Sequence, residues 1–125
     1  MISVIDDDES VRSATQALLR SAGYQSRAFA SADDFLKSDA LPATQCLILD
    51  VRMPGSSGPE LQGRLRADGW RIPIIFISAY DDPGARQRAL DAGALEFLHK
   101  PYDADRLLAA VQAAVVKASA RTTGV

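Results

Sequence analysis

The chain has 125 residues, a natural size for one domain with one sizeable core. Its 47% hydrophobic and 24% charged residues, with a formal net charge of −2, fit an ordinary soluble globular protein, and the lack of a basic stripe argues against nucleic-acid binding by this segment itself. The single cysteine, Cys46, excludes an internal disulfide. No apolar run approaches a membrane span, and Met1 to Ile5 is too short and not basic enough for a signal peptide, so the expected setting is the cytoplasm.

Ile2 to Ile5 reads as a short apolar strand that ends on Asp6-Asp7-Asp8. Asp8 or Glu9 can start a helix, with Val11, Ala14, Leu18 and Ala22 at helical spacing and Gly23 as the stop. Tyr24 to Phe29 is a second strand, of mixed polarity, and Ser31-Ala32-Asp33-Asp34 caps a short helix through Phe35 and Leu36. Asp39 to Thr44 is a connector. Cys46 to Leu49 is a continuous apolar run, as expected of a strand buried on both faces, and it stops on Asp50. Pro54 to Gly58 is a loop, and Ser57-Gly58-Pro59-Glu60 fits a capping box for a helix that carries Leu61 and Leu65 and ends near Gly69. Ile72 to Ile77 is a fourth strand, terminating at Ser78-Ala79. Asp81-Asp82-Pro83 caps a helix with Ala85, Ala89 and Leu90 that stops at Gly93. Leu95 to His99 is a fifth strand, terminating at Lys100-Pro101. Asp103 caps a last helix with Leu107, Leu108, Val111 and Val115 on one stripe, and from about Ser119 the pattern fades into a frayed tail or linker. The expected units are therefore residues 1–118 as the domain and 119–125 as tail.

Strands alternating with helices predict a doubly wound α/β domain, with a parallel five-stranded sheet covered on both faces. In such a sheet all carboxyl ends lie on one edge, where ligands collect. Asp6 and Asp7, Asp50, Ser78 and Lys100, distant in sequence, should meet there. Like charges raise one another's pKa unless a cation neutralises them, and an oxygen-only set favours a hard divalent ion. With the Lys100 ammonium and the Ser78 hydroxyl, the set has what a phosphoryl group on or near Asp50 would need, and an aspartate can itself be the nucleophile.

Val4-Ile5-Asp6-Asp7-Asp8, Asp50-Val51-Arg52-Met53-Pro54 with Gly58, Ser78-Ala79, and Ala92-Gly93-Ala94 through Lys100-Pro101 occur in order at the right strand ends. In these features the chain, from Ile2 to about Val116, resembles the receiver domain of two-component response regulators. Arg52-Met53-Pro54 and Asp81-Asp82-Pro83 look like the FixJ-type branch. The resemblance implies a flavodoxin-like strand order of 2-1-3-4-5 and a cis Lys100-Pro101 bond. It implies that Asp50 accepts a phosphoryl group from a sensor histidine kinase or phosphotransfer protein, with Mg2+ as cofactor and Mn2+ able to substitute. Asp7 would bind the metal directly, Asp6 through a water, and the Arg52 backbone carbonyl would complete the protein ligands beside Asp50. Lys100, Ser78 and Ala79 would hold the phosphoryl group. Phe97 would be the switch aromatic that turns inward, remodelling the face of the fourth helix, fifth strand and fifth helix, through which a homodimer could form. Arg52 and Tyr80 would flank the path of the hydrolytic water, and their bulk implies slow self-dephosphorylation. The branch usually adds a helix-turn-helix domain that regulates transcription. These 125 residues contain none, as befits either a stand-alone receiver or the receiver part of a longer protein.

Other functions fit less well. A phosphatase of the haloacid dehalogenase class needs a second acid where Arg52 stands, so no enzymatic turnover beyond the domain's own phosphoryl chemistry is expected. A nucleotide or flavin site needs a Gly-rich turn after the first strand, where this chain has three acids. A receiver used only for protein contacts would lack one or more pocket residues, and none is lacking.

Overall fold

The apolar runs become the strands of one parallel sheet. In a computed structural model that describes residues 1–53, 55, 57–80 and 82–123 (side chains through Ala118), they are β1 (Ile2–Ile5), β2 (Ser26–Phe29), β3 (Cys46–Asp50), β4 (Ile74–Ser78) and β5 (Glu96–His99). The helices between them are α1 (Glu9–Ser21), α2 (Ala32–Lys37), α3 (Gly58–Ala67), α4 (Pro83–Asp91) and α5 (Ala104–Thr123), with a 3₁₀ turn at Leu41–Ala43. The strand order is 2-1-3-4-5, as the resemblance implied, and every pairing is parallel.

Alternation along each central strand divides the core in two. Ile5, Leu47, Leu49 and Phe76 pack with Phe35 of α2, Leu61 and Leu65 of α3 and Ala89 of α4. Ile2, Val4, Ile48 and Ile77 pack with Leu19 of α1 and with Leu107 and Val111 of α5. Each such aliphatic side chain taken out of water is worth about 1.5–3 kcal/mol. Cys46 sits in the second cluster, and burial pushes its thiol up to about 12, so it behaves as a small hydrophobe.

The caps follow the sequence closely. Asp8 accepts from the amides of Ser10 and Val11, Ser31 from Asp34, Ser57 from Glu60 and Asp82 from Ala85. Asp103 accepts from the Asp105 amide at the start of α5. Asp81 lies outside the described residues, as do Pro54 and Ser56. Gly23 takes φ +89° just past α1, a conformation that an L side chain adopts at a cost. The Lys100-Pro101 bond is cis.

Several expected bounds shift. β2 begins at Ser26 rather than Tyr24, β4 at Ile74 rather than Ile72, and β5 at Glu96 rather than Leu95. Pro73, with no amide hydrogen, stands just ahead of β4. On α1 the expected stripe is displaced: Ala14 and Ala22 are exposed, whereas Thr15 and Leu19 are buried. α5 continues to Thr123, past the point where its apolar stripe fades, through a segment containing Lys117, Ala118, Ala120 and Arg121, all strong helix formers. Among the described residues no helix is long and apolar enough to cross a membrane.

Candidate functional site

The register brings the polar strand ends together. Ile5 pairs with Leu49, so Asp6 and Asp50 emerge side by side, and Ser78 pairs with His99, the residue before Lys100. Carboxylate oxygens of Asp6, Asp7 and Asp50 lie within 4.8 Å of one another. Asp6 is fully buried, Asp50 is buried and Asp7 is exposed.

The Lys100 ammonium enters from the β5 side. Its Nζ is 2.9 Å from Asp6 Oδ2 and 3.7 Å from Asp50 Oδ2. Burial opposes the Lys100 charge, but the hydrogen bond to Asp6 and the nearby Asp50 and Asp6 carboxylates outweigh it and raise its pKa. For Asp50 the balance is reversed. Burial first, then the adjacent Asp6 charge, push its carboxyl up to about 6, although Lys100 pulls the other way.

Both Asp6 oxygens are already engaged, Oδ1 by the Asp8 amide at 2.9 Å and Oδ2 by Lys100. Asp7, at the open side, carries no such bond among the described residues. The donor set is all oxygen, three neighbouring carboxylates with one ammonium paired to two of them, and it retains negative charge that a hard divalent cation would discharge. The residues therefore fit Mg2+, with Asp7 and Asp50 the freer ligands and Asp6 the more committed one. Arg52 is exposed, and its amide donates to Asp50 Oδ1 at 3.4 Å.

The remaining expected residues surround this centre. Ser78 is buried at the end of β4, and its hydroxyl both donates to the Tyr80 carbonyl and accepts from the Tyr80 amide, each at 3.1 Å. It is engaged with its own turn rather than with Asp50. Ala79 is exposed on that turn. Phe97 is only 6% exposed and packs on Phe76 with ring centroids 6.2 Å apart, so the expected switch aromatic already lies inside the core. The Arg52 guanidinium stacks on the Tyr80 ring at 4.0 Å. Arg52, Ser78, Tyr80 and Phe97 share the wall of a cavity of about 420 Å³ between α3 and α4. His99 is exposed, and among the described residues no polar contact brings it to the centre.

Sequence reasoning did not single out Arg12. Its Nη1 donates to the Asp6 backbone carbonyl at 2.7 Å, which fixes the acidic turn from α1. An arginine on a helix with a polar face carries no local mark of such a contact.

The family model for the response regulator receiver domain matches residues 2–112 of this chain. The response regulator protein TodT of Pseudomonas putida is 44% identical over 115 residues, covering 92% of this chain and 51% of TodT. The transcriptional regulatory protein FixJ of Bradyrhizobium diazoefficiens is 40% identical, covering 94% of this chain and 57% of FixJ. Among solved structures, the response regulator StyR superposes with a TM-score of 0.90 at 44% identity, over 98% of this chain and 62% of the StyR chain. The chain thus spans about half the length of the curated relatives it matches.

Proposed function

The chain belongs to the response regulator receiver family, with FixJ among its relatives, and from that premise we propose that it is a phosphoacceptor whose nucleophile is Asp50. The observation that carries this reading is the convergence of Asp6, Asp7 and Asp50 within 4.8 Å, with the Lys100 ammonium bridging Asp6 and Asp50. The donor is a phosphohistidine on a sensor histidine kinase or a phosphotransfer protein. An Asp50 oxygen attacks phosphorus and the P–N bond breaks. Its electron pair stays on the departing imidazole, which gains a proton. The product is an acyl phosphate on Asp50.

Asp7, Asp50 and the Arg52 backbone carbonyl would hold Mg2+ directly, with Asp6 reaching it through water, and Mn2+ could take its place. When bound, the ion neutralises charge on the transferring group. Lys100 adds a fixed positive charge, held ready by Asp6 until phosphoryl oxygens compete for it. The Ser78 hydroxyl exchanges the Tyr80 carbonyl for a phosphoryl oxygen, and exposed Ala79 leaves the approach open. That movement shifts the turn leading into α4 and, through Phe97 and Phe76, the α4-β5-α5 face, where two copies could pair. On this reading residues 1–118 are the receiver and 119–125 lead toward an output that acts in the cytoplasm on transcription. The domain itself contacts neither DNA nor membrane and turns over no external substrate.

Intact-protein mass after incubation with a small phosphodonor and Mg2+ tests the reading. One added phosphoryl group, mapped to Asp50, is expected. A folded chain that binds Mg2+ yet gains no mass would point instead to a receiver used only for contacts. The Arg52–Tyr80 stack supports a further expectation, that the acyl phosphate is long-lived because water reaches it slowly. The double variant Arg52→Ala/Tyr80→Ala should lose its phosphoryl group about tenfold faster, a barrier change of about 1.4 kcal/mol. Decay of the phosphorylated mass reads this directly, and loss within seconds from the parent would rule it out.

A further inference from the structure

The Lys100 side chain is long, and a free lysine side chain samples many rotamers. Its ammonium nevertheless sits between two specific carboxylates. What holds the main chain beneath it is informative. On one side the Lys100 amide donates to the Ser78 carbonyl at 2.6 Å. On the other side, two residues on, the Tyr102 hydroxyl meets Thr15 Oγ1 of α1 at 2.6 Å, across 87 positions of sequence. Thr15 is fully buried, and Tyr102 packs against the core between α1 and α5.

Thr15 lies three residues after Arg12, on the same face of α1. Arg12 holds the Asp6 carbonyl, so this one face fastens both members of the Lys100–Asp6 pair: Asp6 through Arg12, and the Lys100 turn through Thr15. Stability alone does not call for the hydroxyl pair. Replacing both partners of a hydrogen bond by apolar groups of like shape can be nearly neutral. What the bond adds is direction, since Phe at 102 and Val at 15 would fill the space without fixing the turn.

We propose that Thr15 and Tyr102 are positioning residues, whose hydrogen bond sets where the Lys100 ammonium rests between Asp6 and Asp50. The consequence for phosphoryl transfer rests on the phosphoacceptor reading of Asp50. The position itself does not, and the two can fail separately.

The test uses the full chain with Tyr102→Phe, Thr15→Val and their combination, each also made in a Lys100→Met background. Melting curves establish that each variant is folded. Tyr102→Phe should gain phosphoryl mass from a small phosphodonor about tenfold more slowly than the parent. Thr15→Val should do the same, and the combination no worse than either. In the Lys100→Met background Tyr102→Phe should change nothing. A role in docking α5 alone would lower melting temperature and leave this pattern absent. The Lys100 ammonium signal in proton–nitrogen NMR gives an independent reading. It should be visible in the parent, sheltered by Asp6, and broadened away in Tyr102→Phe. A parent-like rate in Tyr102→Phe with the ammonium signal intact overturns the proposal, as does an equal slowing in the Lys100→Met background. If the parent itself gains no mass, the phosphoacceptor reading falls, and the ammonium signal alone decides the positioning.

Discussion

Asp50→Asn is expected to take no phosphoryl group and, in metal-free buffer above about pH 6, to melt at a higher temperature than the parent. The first result follows from removing the proposed nucleophilic oxygen. The second follows from the cost of keeping a charge where Asp50 stands. Burial and the Asp6 carboxylate raise its pKa to about 6, against about 3.9 in an unfolded chain. The folded state therefore holds the proton more tightly than the unfolded state. Below about pH 4 both states are protonated, and the site costs nothing in charge. As pH rises from about 4 to about 6 the unfolded chain ionises first, so stability falls across that window and then levels off. Asparagine has no charge to bury, so the advantage of the variant should be absent near pH 4, grow through the window and be constant above it. Undiscounted, the gap between the two pKa values would be worth about 3 kcal/mol. The pocket is open on the Asp7 side, and solvent screening reduces the figure to about 1–2 kcal/mol. For a chain of this size that is roughly 4–8 °C in melting temperature. Mg2+ should narrow the difference, because it stabilises the parent more than the variant. Calorimetric melts at pH 4 and pH 8, with and without Mg2+, read all of this. An equal offset at both pH values would show that packing, not the carboxylate charge, separates the two proteins.

The site was legible in the sequence wherever a strand could be recognised by its apolar run. Cys46 to Leu49 reads as a buried strand, and it ends on Asp50. By the same pattern Asp6, Asp7, Ser78 and Lys100 fall on one edge of the sheet. Two kinds of information were not there. The rotation of α1 was misplaced because Ala14 and Ala22 are more apolar than Thr15, and the burial of Thr15 depends on a hydroxyl partner 87 positions away. The state of the proposed switch residues was also hidden. Ser78 bonding to its own turn and Phe97 lying inside the core are rotamer choices, which residue identity does not encode. Arg12 belongs with these, since its contact to the Asp6 carbonyl exists only once the first turn is folded.

Gly58→Ala is expected to destabilise the domain by about 2–3 kcal/mol, in the range of overpacked core positions. Gly58 opens α3, and its amide donates to the Val51 carbonyl at 2.9 Å, which draws the start of the helix against the end of β3. A Cβ there would stand 2.5 Å from the Asp50 carbonyl oxygen, 2.9 Å from Phe76 Cε1 and 3.2 Å from Val51 Cα. The glycine is required for space and not for an unusual backbone angle, since its φ is not positive. Neither main neighbour gives way cheaply, for one is central-strand backbone and the other a fully buried ring. Relief must come from moving the start of α3 outward or the end of β3 inward. The second movement carries Asp50 with it, so phosphoryl uptake should slow even under conditions where the variant is fully folded. Gly63 supplies the control within the same helix. A Cβ there meets nothing within 4 Å, and Gly63→Ala should stabilise by about 0.5–1 kcal/mol through helix propensity. Urea titrations of both variants give the two signs side by side. A Gly58→Ala protein as stable as the parent would mean that α3 can withdraw freely, and that its contact with β3 does not hold Asp50 in place.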